Sequence, residues 1–113
     1  MPRYTYVVLT NPVEGREDEY NEWYTNTHVH DALKVPGFVG AQRFKLAGAQ
    51  RNEAPYPWQY LALYEIETDD LQKSINELAA RYDTPAMVIS TALHPERLGL
   101  IYEELTPRVE AQP

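Results

Sequence analysis

His28 is the residue of this sequence best suited to move a proton. Tyr20, Trp23, Tyr24, Thr27 and His28 recur at spacings of three, four, seven and eight, so a helix through them puts all five on one face. An imidazole set among aromatic rings can take or give a proton near neutral pH without a cofactor. The plain alternative is a part-buried histidine whose nitrogens are satisfied by backbone groups. Asp31 lies three residues on, within reach on one helical turn. It is suited to orient the His28 ring and to stabilise its imidazolium form; its plain alternative is a cap or a surface acid near the helix end. His30 completes a His-x-His-Asp string, which invites a metal reading because imidazole and carboxylate are common ligands. On a helix, positions 28 and 30 diverge by about 200° and chelate together only if the backbone is extended. His94 and Glu96 have no spacing that completes such a set. No metal is therefore expected, and His30 is grouped with the substrate-binding candidates.

The sequence holds nine Tyr, two Trp and two Phe, so any core carries many hydroxyls that need partners. Core packing accounts for most of these rings. A pocket for a planar or phenolic ligand uses both rings and hydroxyls, and Tyr6, Trp23, Tyr24, Tyr60 and Tyr64 are the candidates to line it. Arg43 and Lys45 share one face of a strand and suit a substrate carboxylate; a solvated sheet edge is the commoner fate of such charges. Glu17, Asp18 and Glu19 read as a solvated helix start. No phosphate loop, nucleophile elbow or Walker motif is present, so nucleotide-driven chemistry has no support.

These residues must be positioned by a small set of elements. Residues 4–9 (YTYVVL), 38–46 (FVGAQRFKL), 58–66 (WQYLALYEI) and 98–105 read as strands. A first helix starts after Glu14-Gly15 with three acids in its first turn, where they favour the helix dipole, and stops at Val35-Pro36-Gly37. A second follows Thr68-Asp69-Asp70, with Gln72 as a capping-box partner of Asp69, and runs on Leu71, Ile75, Leu78, Ala79 and Tyr82 to about residue 81. Residues 84–97 carry no readable pattern. The order β-α-β-β-α-β is the ferredoxin-like arrangement, α+β, with an antiparallel four-stranded sheet and two main helices on one face. Residues 1–106 form the domain and 107–113 a flexible tail.

Strand alternation then poses a problem. Tyr4, Tyr6 and Val8 point one way, Val7 and Leu9 the other; Tyr60, Ala62, Tyr64 and Ile66 oppose Leu61 and Leu63. Two apolar faces need two covers, and the helices supply one. A third layer made from residues 84–97 is one solution. A second copy of the sheet, packed face to face as a homodimer, is the preferred one.

The length of 113 residues fits one domain. Ten basic against seventeen acidic residues leave a net charge of −7, which disfavours nucleic acid and anionic membranes as partners. The absence of cysteine excludes disulfides, thiolate nucleophiles and Cys-ligated metals. Neither a signal peptide nor an apolar run near the ~20 residues of a membrane span is visible, so a cytoplasmic domain is expected.

The run Asn11-Pro12-Val13-Glu14-Gly15-Arg16-Glu17-Asp18-Glu19-Tyr20-Asn21-Glu22-Trp23-Tyr24, then Thr27-His28-Val29-His30-Asp31, then Val35-Pro36-Gly37-Phe38, resembles EthD-like members of the dimeric α+β barrel superfamily. The specific motif lies between residues 11 and 38; the resemblance spans roughly 4–105, the C-terminal half by element order alone. Relatives read His-x-Pro-Asp at the helix end, whereas His30 stands at the proline position here. The resemblance implies a homodimer whose two sheets form a barrel, a pocket between helices and sheet in each subunit, and His28 as the motif histidine. The superfamily hosts cofactor-free oxygenation, decarboxylation, isomerisation, cyclisation, dehalogenation and haem chemistry, so fold alone does not select a reaction.

Three functions follow as expectations. The first is a small cofactor-independent enzyme of lyase, isomerase or cyclase type, acting on a hydrophobic, aromatic or polyketide-like carbonyl compound by proton transfer at His28, with Tyr hydroxyls holding the enolate oxygen. The second is a haem-binding or haem-degrading protein, with His28, Trp23 and Asn21 or Asn26 at the macrocycle. The third is a non-catalytic small-molecule binding protein.

Overall fold

The computed structural model describes all 113 residues. Four strands, β1 (Arg3–Pro12), β2 (Phe38–Lys45), β3 (Tyr60–Glu67) and β4 (Leu93–Glu103), form one antiparallel sheet in the order β2-β3-β1-β4. Between β1 and β2 the chain runs through α1 (Glu17–Trp23), a π-helical turn (Tyr24–His28) and the short α2 (Val29–Ala32). Between β3 and β4 it forms α3 (Leu71–Arg81). This is the ferredoxin-like α+β arrangement expected from the element order.

The register puts Tyr4, Tyr6, Val8 and Thr10 of β1 opposite Ile66, Tyr64, Ala62 and Tyr60 of β3. Those side chains share the face under the helices. The core forms there, from Tyr20, Tyr24, Tyr60, Ala62, Tyr64, Ile66, Phe38 and Met87. Edge-to-face and tilted aromatic pairs fill it, among them Tyr20 with Tyr24 at 5.6 Å and Tyr6 with Tyr64 at 5.8 Å.

Several boundaries differ from the sequence expectation. β4 begins at Leu93 rather than at 98, continuing through Pro95, because this is an edge strand where a missing N–H is tolerated. β3 begins at Tyr60 rather than at 58. The α3 cap is Asp70, whose carboxylate accepts from the Lys73 N–H at 3.1 Å; Gln72 turns instead to Asn76, at 2.9 Å. Thr68 supports the cap by accepting from the Asp70 N–H at 3.0 Å. At the end of α2, Gly37 adopts φ +94°, and a Cβ there would sit 2.6 Å from the Ser74 hydroxyl. That hydroxyl donates to the Pro36 carbonyl at 2.8 Å and ties the turn to α3.

The segment between α3 and β4 does not cover the second sheet face. It packs on the helix side, where Met87 is fully buried and the Val88 carbonyl accepts from the Trp23 indole at 3.0 Å. The far face therefore stays open. Leu98, Leu100 and Tyr102 of β4 and Phe44 of β2 are exposed on it, beside half-buried Val7, Leu9, Leu61 and Leu63. The third-layer alternative is thereby excluded.

Candidate active site

The first helical stretch is not a uniform α-helix, and this decides where His28 goes. The Val29 N–H donates to the Tyr24 carbonyl, five residues back, which is π geometry. Positions five apart on an α-helix diverge by about 140°. The π turn instead brings Trp23 and His28 into register, and their rings stack 4.6 Å apart with planes 24° from parallel. The Tyr24 ring meets His28 edge-on at 4.9 Å. Tyr20 and Tyr24 point into the core, Trp23 and His28 are half-buried, and Thr27 is exposed, so the five-residue face expected from spacing is broken at Thr27.

A cavity of about 60 Å³ lies between this helical stretch and the sheet. Tyr6, Val8 and Thr10 of β1, Phe38 of β2 and Tyr64 of β3 form its floor. Tyr24, His28 and Ala32 form its roof. Leu78 and Tyr82, at the end of α3, and Leu93 of β4 complete its lining, and exposed Arg97 of β4 marks its mouth. Gly99 leaves room for the floor: a Cβ there would stand 3.0 Å from the Tyr6 hydroxyl.

Among the residues lining it, His28 Nδ1 is buried without a partner, and the Tyr64 hydroxyl is buried with only the Tyr24 side chain beside it and no hydrogen bond of good geometry. Buried polar atoms normally find partners, and leaving one unpaired costs about 1–3 kcal/mol. A ligand with its own donor or acceptor would satisfy them. Burial pushes the His28 pKa down to about 4; Asp31 opposes this, and Arg43 and Arg97 add to it. The imidazole is therefore neutral at pH 7. Burial pushes Tyr64 up to about 12 and raises Tyr6 and Tyr24, so all three phenols stay protonated.

The cavity gathers Tyr6, Tyr24, His28 and Tyr64 from the expected set and leaves four others outside. Trp23 backs His28 from behind and does not line the space. Tyr60 is buried at another place, where its hydroxyl donates to Glu17 and accepts from Asn21 Nδ2 at 3.0 Å. His30 is exposed. Asp31 pairs with Lys34 at 3.9 Å, and no hydrogen bond links it to His28; it acts on the imidazole through space. No three His, Asp or Glu side chains converge anywhere, and His94 Nδ1 accepts from the Glu96 N–H at 3.0 Å.

Arg43 is not a solvated edge charge, and it does not line this cavity. Its guanidinium lies 4.4 Å from the Tyr24 ring centroid and within 5.4 Å of those of Tyr20 and Tyr60, and it donates to Thr25 at 2.8 Å. Lys45 is exposed. Thr10, Tyr82 and Arg97 are the polar lining residues that sequence reasoning missed. Arg97 and Gly99 alternate onto the Tyr6 face of β4, a signal available once the strand is extended back past residue 98. The residues present do not fit the haem reading: Asn26 is exposed and Asn21 is turned to Tyr60, so neither reaches the cavity beside His28.

No protein-family model matches the sequence. The chain is 36% identical over 70 residues to core atranone cluster (CAC) protein 1 of Stachybotrys chlorohalonatus, a match that spans 60% of this chain and 27% of that protein. Among solved structures, a protein of Nitrosomonas europaea assigned as an antibiotic biosynthesis monooxygenase superposes with a TM-score of 0.61 at 14% identity, covering 93% of this chain and 92% of that one. HapK from Hahella chejuensis gives 0.59 at 16% identity, covering 99% and 100%. An EthD family protein from Bacillus halodurans gives 0.50 at 16% identity, covering 93% and 100%. No helix of the chain is long and apolar enough to cross a membrane. The chain shares with these three structures the ferredoxin-like α+β fold.

Proposed function

We propose that the chain is a small cofactor-independent enzyme that moves a proton on a hydrophobic aromatic or polyketide-like carbonyl compound, with chemistry of lyase, isomerase or cyclase type. The observation that carries this reading is the neutral, unpartnered His28 imidazole in the roof of a cavity whose floor offers protonated Tyr hydroxyls. A neutral imidazole can accept a carbon-bound proton as an enolate forms. Tyr64, whose hydroxyl has only the Tyr24 side chain beside it, would donate to the enolate oxygen. Negative charge developing beside the imidazolium strengthens His28 as a base during that step. Asp31 would stabilise the imidazolium through space. Similarity to a protein of a named biosynthetic cluster and to an antibiotic biosynthesis monooxygenase supports a place in secondary metabolism.

The test is enolisation of 2-tetralone, a neutral ketone with acidic benzylic protons between the ring and the carbonyl. Its C1 exchange in D2O is followed by NMR with wild type and with His28→Ala. Positioned acid–base groups are worth about 10²–10⁴-fold, and exchange should accelerate in wild type and fall by at least a hundredfold on substitution. Acceleration that survives His28→Ala would sink the assignment.

One observation favours a second reading, a non-catalytic binding protein. An imidazole with a pKa near 4 is a weak base in the unliganded protein. Under that reading 2-tetralone binds and shifts the His28 and Tyr64 resonances without exchange above the buffer rate.

The open apolar face supports a homodimer. Leu98, Leu100 and Tyr102 are each more than two-fifths exposed, on the face opposite the cavity. Large exposed apolar patches mark interfaces. A second sheet packed on this one would cover them and leave the pocket of each subunit open at the Tyr82–Arg97 side.

A further inference from the structure

The cavity contains a charge that nothing in the molecule balances. Arg97 is the one ionised side chain in its lining at neutral pH, since His28 is neutral there and no carboxylate lines it. None of the ion pairs in the structure uses Arg97. Its partner is uncharged: the guanidinium donates to the Tyr82 hydroxyl and lies 4.6 Å from the centroid of that ring. This matters in a chain with seventeen acids and ten basic residues. Arg3, Arg16, Arg81 and Arg108 each pair with a glutamate. Arg43, Arg51 and Arg97 have no acidic partner, and of these three only Arg97 lines this cavity, with its side chain exposed and donors to spare.

We propose that Arg97 binds the anionic end of the pocket's ligand, and that this ligand is a small planar aromatic or enolisable carboxylate. This deepens the pocket reading above and rests on it. The carboxylate would sit at the mouth on Arg97, where a planar guanidinium matches it with two parallel hydrogen bonds. The ring would lie inward between the Tyr6 and Phe38 side and the Tyr24 and His28 side. A carbonyl or phenol at the inner end would meet the Tyr64 hydroxyl and the unpartnered His28 Nδ1. Charge thus sits at the wet end and the neutral donors at the dry end, so no ion need be carried into the apolar interior.

The experiment compares 2-hydroxybenzoate with 2-hydroxybenzamide, two probes of nearly equal shape that differ in charge. Binding is read by amide shifts and by titration calorimetry on the full chain. Wild type should bind the acid at least tenfold tighter than the amide. Arg97→Gln should erase that preference and leave amide binding within twofold, while Arg97→Lys should retain part of it. Arg51→Gln, which removes an equal charge from an exposed loop, should change neither. Equal affinity of wild type for both probes, or a preference that survives Arg97→Gln, overturns the role of Arg97 and leaves the pocket reading standing. If neither probe shifts the Tyr24, His28 or Tyr64 signals, the proposal falls together with the pocket reading.

Discussion

Trp23 and His28 stack 4.6 Å apart although they are five residues apart in sequence, and only the π turn between them makes that contact. The indole is itself pinned, its N–H donating to Val88 of the loop before β4. One side of the imidazole is thus walled off from water while the other faces the cavity. Trp23→Ala removes the wall. Solvent would reach His28, and its pKa should climb from about 4 towards the ordinary 6.5. The half-buried indole also packs against the core, so the substitution should cost about 2 kcal/mol of stability, below the usual range for a fully buried tryptophan. Titration of the His28 ring protons by NMR checks the first effect and urea unfolding the second. An unchanged His28 pKa would mean that Trp23 does not shield the ring.

The low basicity of His28 also sets a pH dependence. Above pH 6.5 the imidazole is neutral in both folded and unfolded chains and contributes nothing. Between pH 6.5 and about 4 the unfolded chain takes up a proton that the folded one refuses, so stability falls as pH falls. Below about 4 both are protonated and the loss levels off, at about 3 kcal/mol for a shift of this size. Carboxylates titrate in the same range, so the readout is a difference. Wild type minus His28→Gln, by urea unfolding at pH 7, 5.5 and 4, should show wild type losing more stability over that window. Parallel curves would contradict the burial of His28.

Why some of this was legible and some not follows from which signals are local. The alternation of Tyr4, Tyr6 and Val8 against Val7 and Leu9 is a period-two pattern, and β1 realises it with the Tyr side under the helices. The helix stop at Gly37 and the acidic first turn of α1 are equally local. The π turn is not. An α-helical period put Thr27 on the buried face and gave no reason for Trp23 to meet His28. Arg97 was invisible because Pro95 interrupts the strand pattern, and its place in the cavity depends on pairing with Thr10, 87 positions away in the chain. Tyr60 shares its sheet face with Tyr64, but helix α1 reaches it first through Glu17 and Asn21.

That last difference can be measured. Tyr60→Phe removes a hydroxyl that bridges β3 and α1, and should cost about 1 kcal/mol of stability because a hydrogen bond to a carboxylate and one from an amide are lost. Tyr60 does not line the cavity, so affinity for 2-tetralone should stay within twofold of wild type. Tyr64→Phe removes a hydroxyl whose one neighbour, the Tyr24 side chain, offsets its burial, so it should leave stability nearly unchanged and weaken the same ligand several-fold. Denaturant unfolding and an NMR titration on both variants separate the two tyrosines. Equal loss of affinity in both would place Tyr60 at the ligand after all.

The open sheet face makes the final prediction. Leu100 sits on β4 opposite Val7, with Leu98 paired to Leu9 beside it, so the patch runs from the edge strand into the centre of the sheet. Leu100 is 47% exposed, and in an isolated subunit a charge there would cost little because it reaches water. Between two packed sheets the same charge would be buried and unpaired, at a cost of several kcal/mol. Leu100→Lys should therefore turn a dimer of the wild-type chain into a monomer in native mass spectrometry, with the circular dichroism spectrum retained. A wild-type chain that is already monomeric, or a variant that still dimerises, would show that the outer face is not where two copies meet.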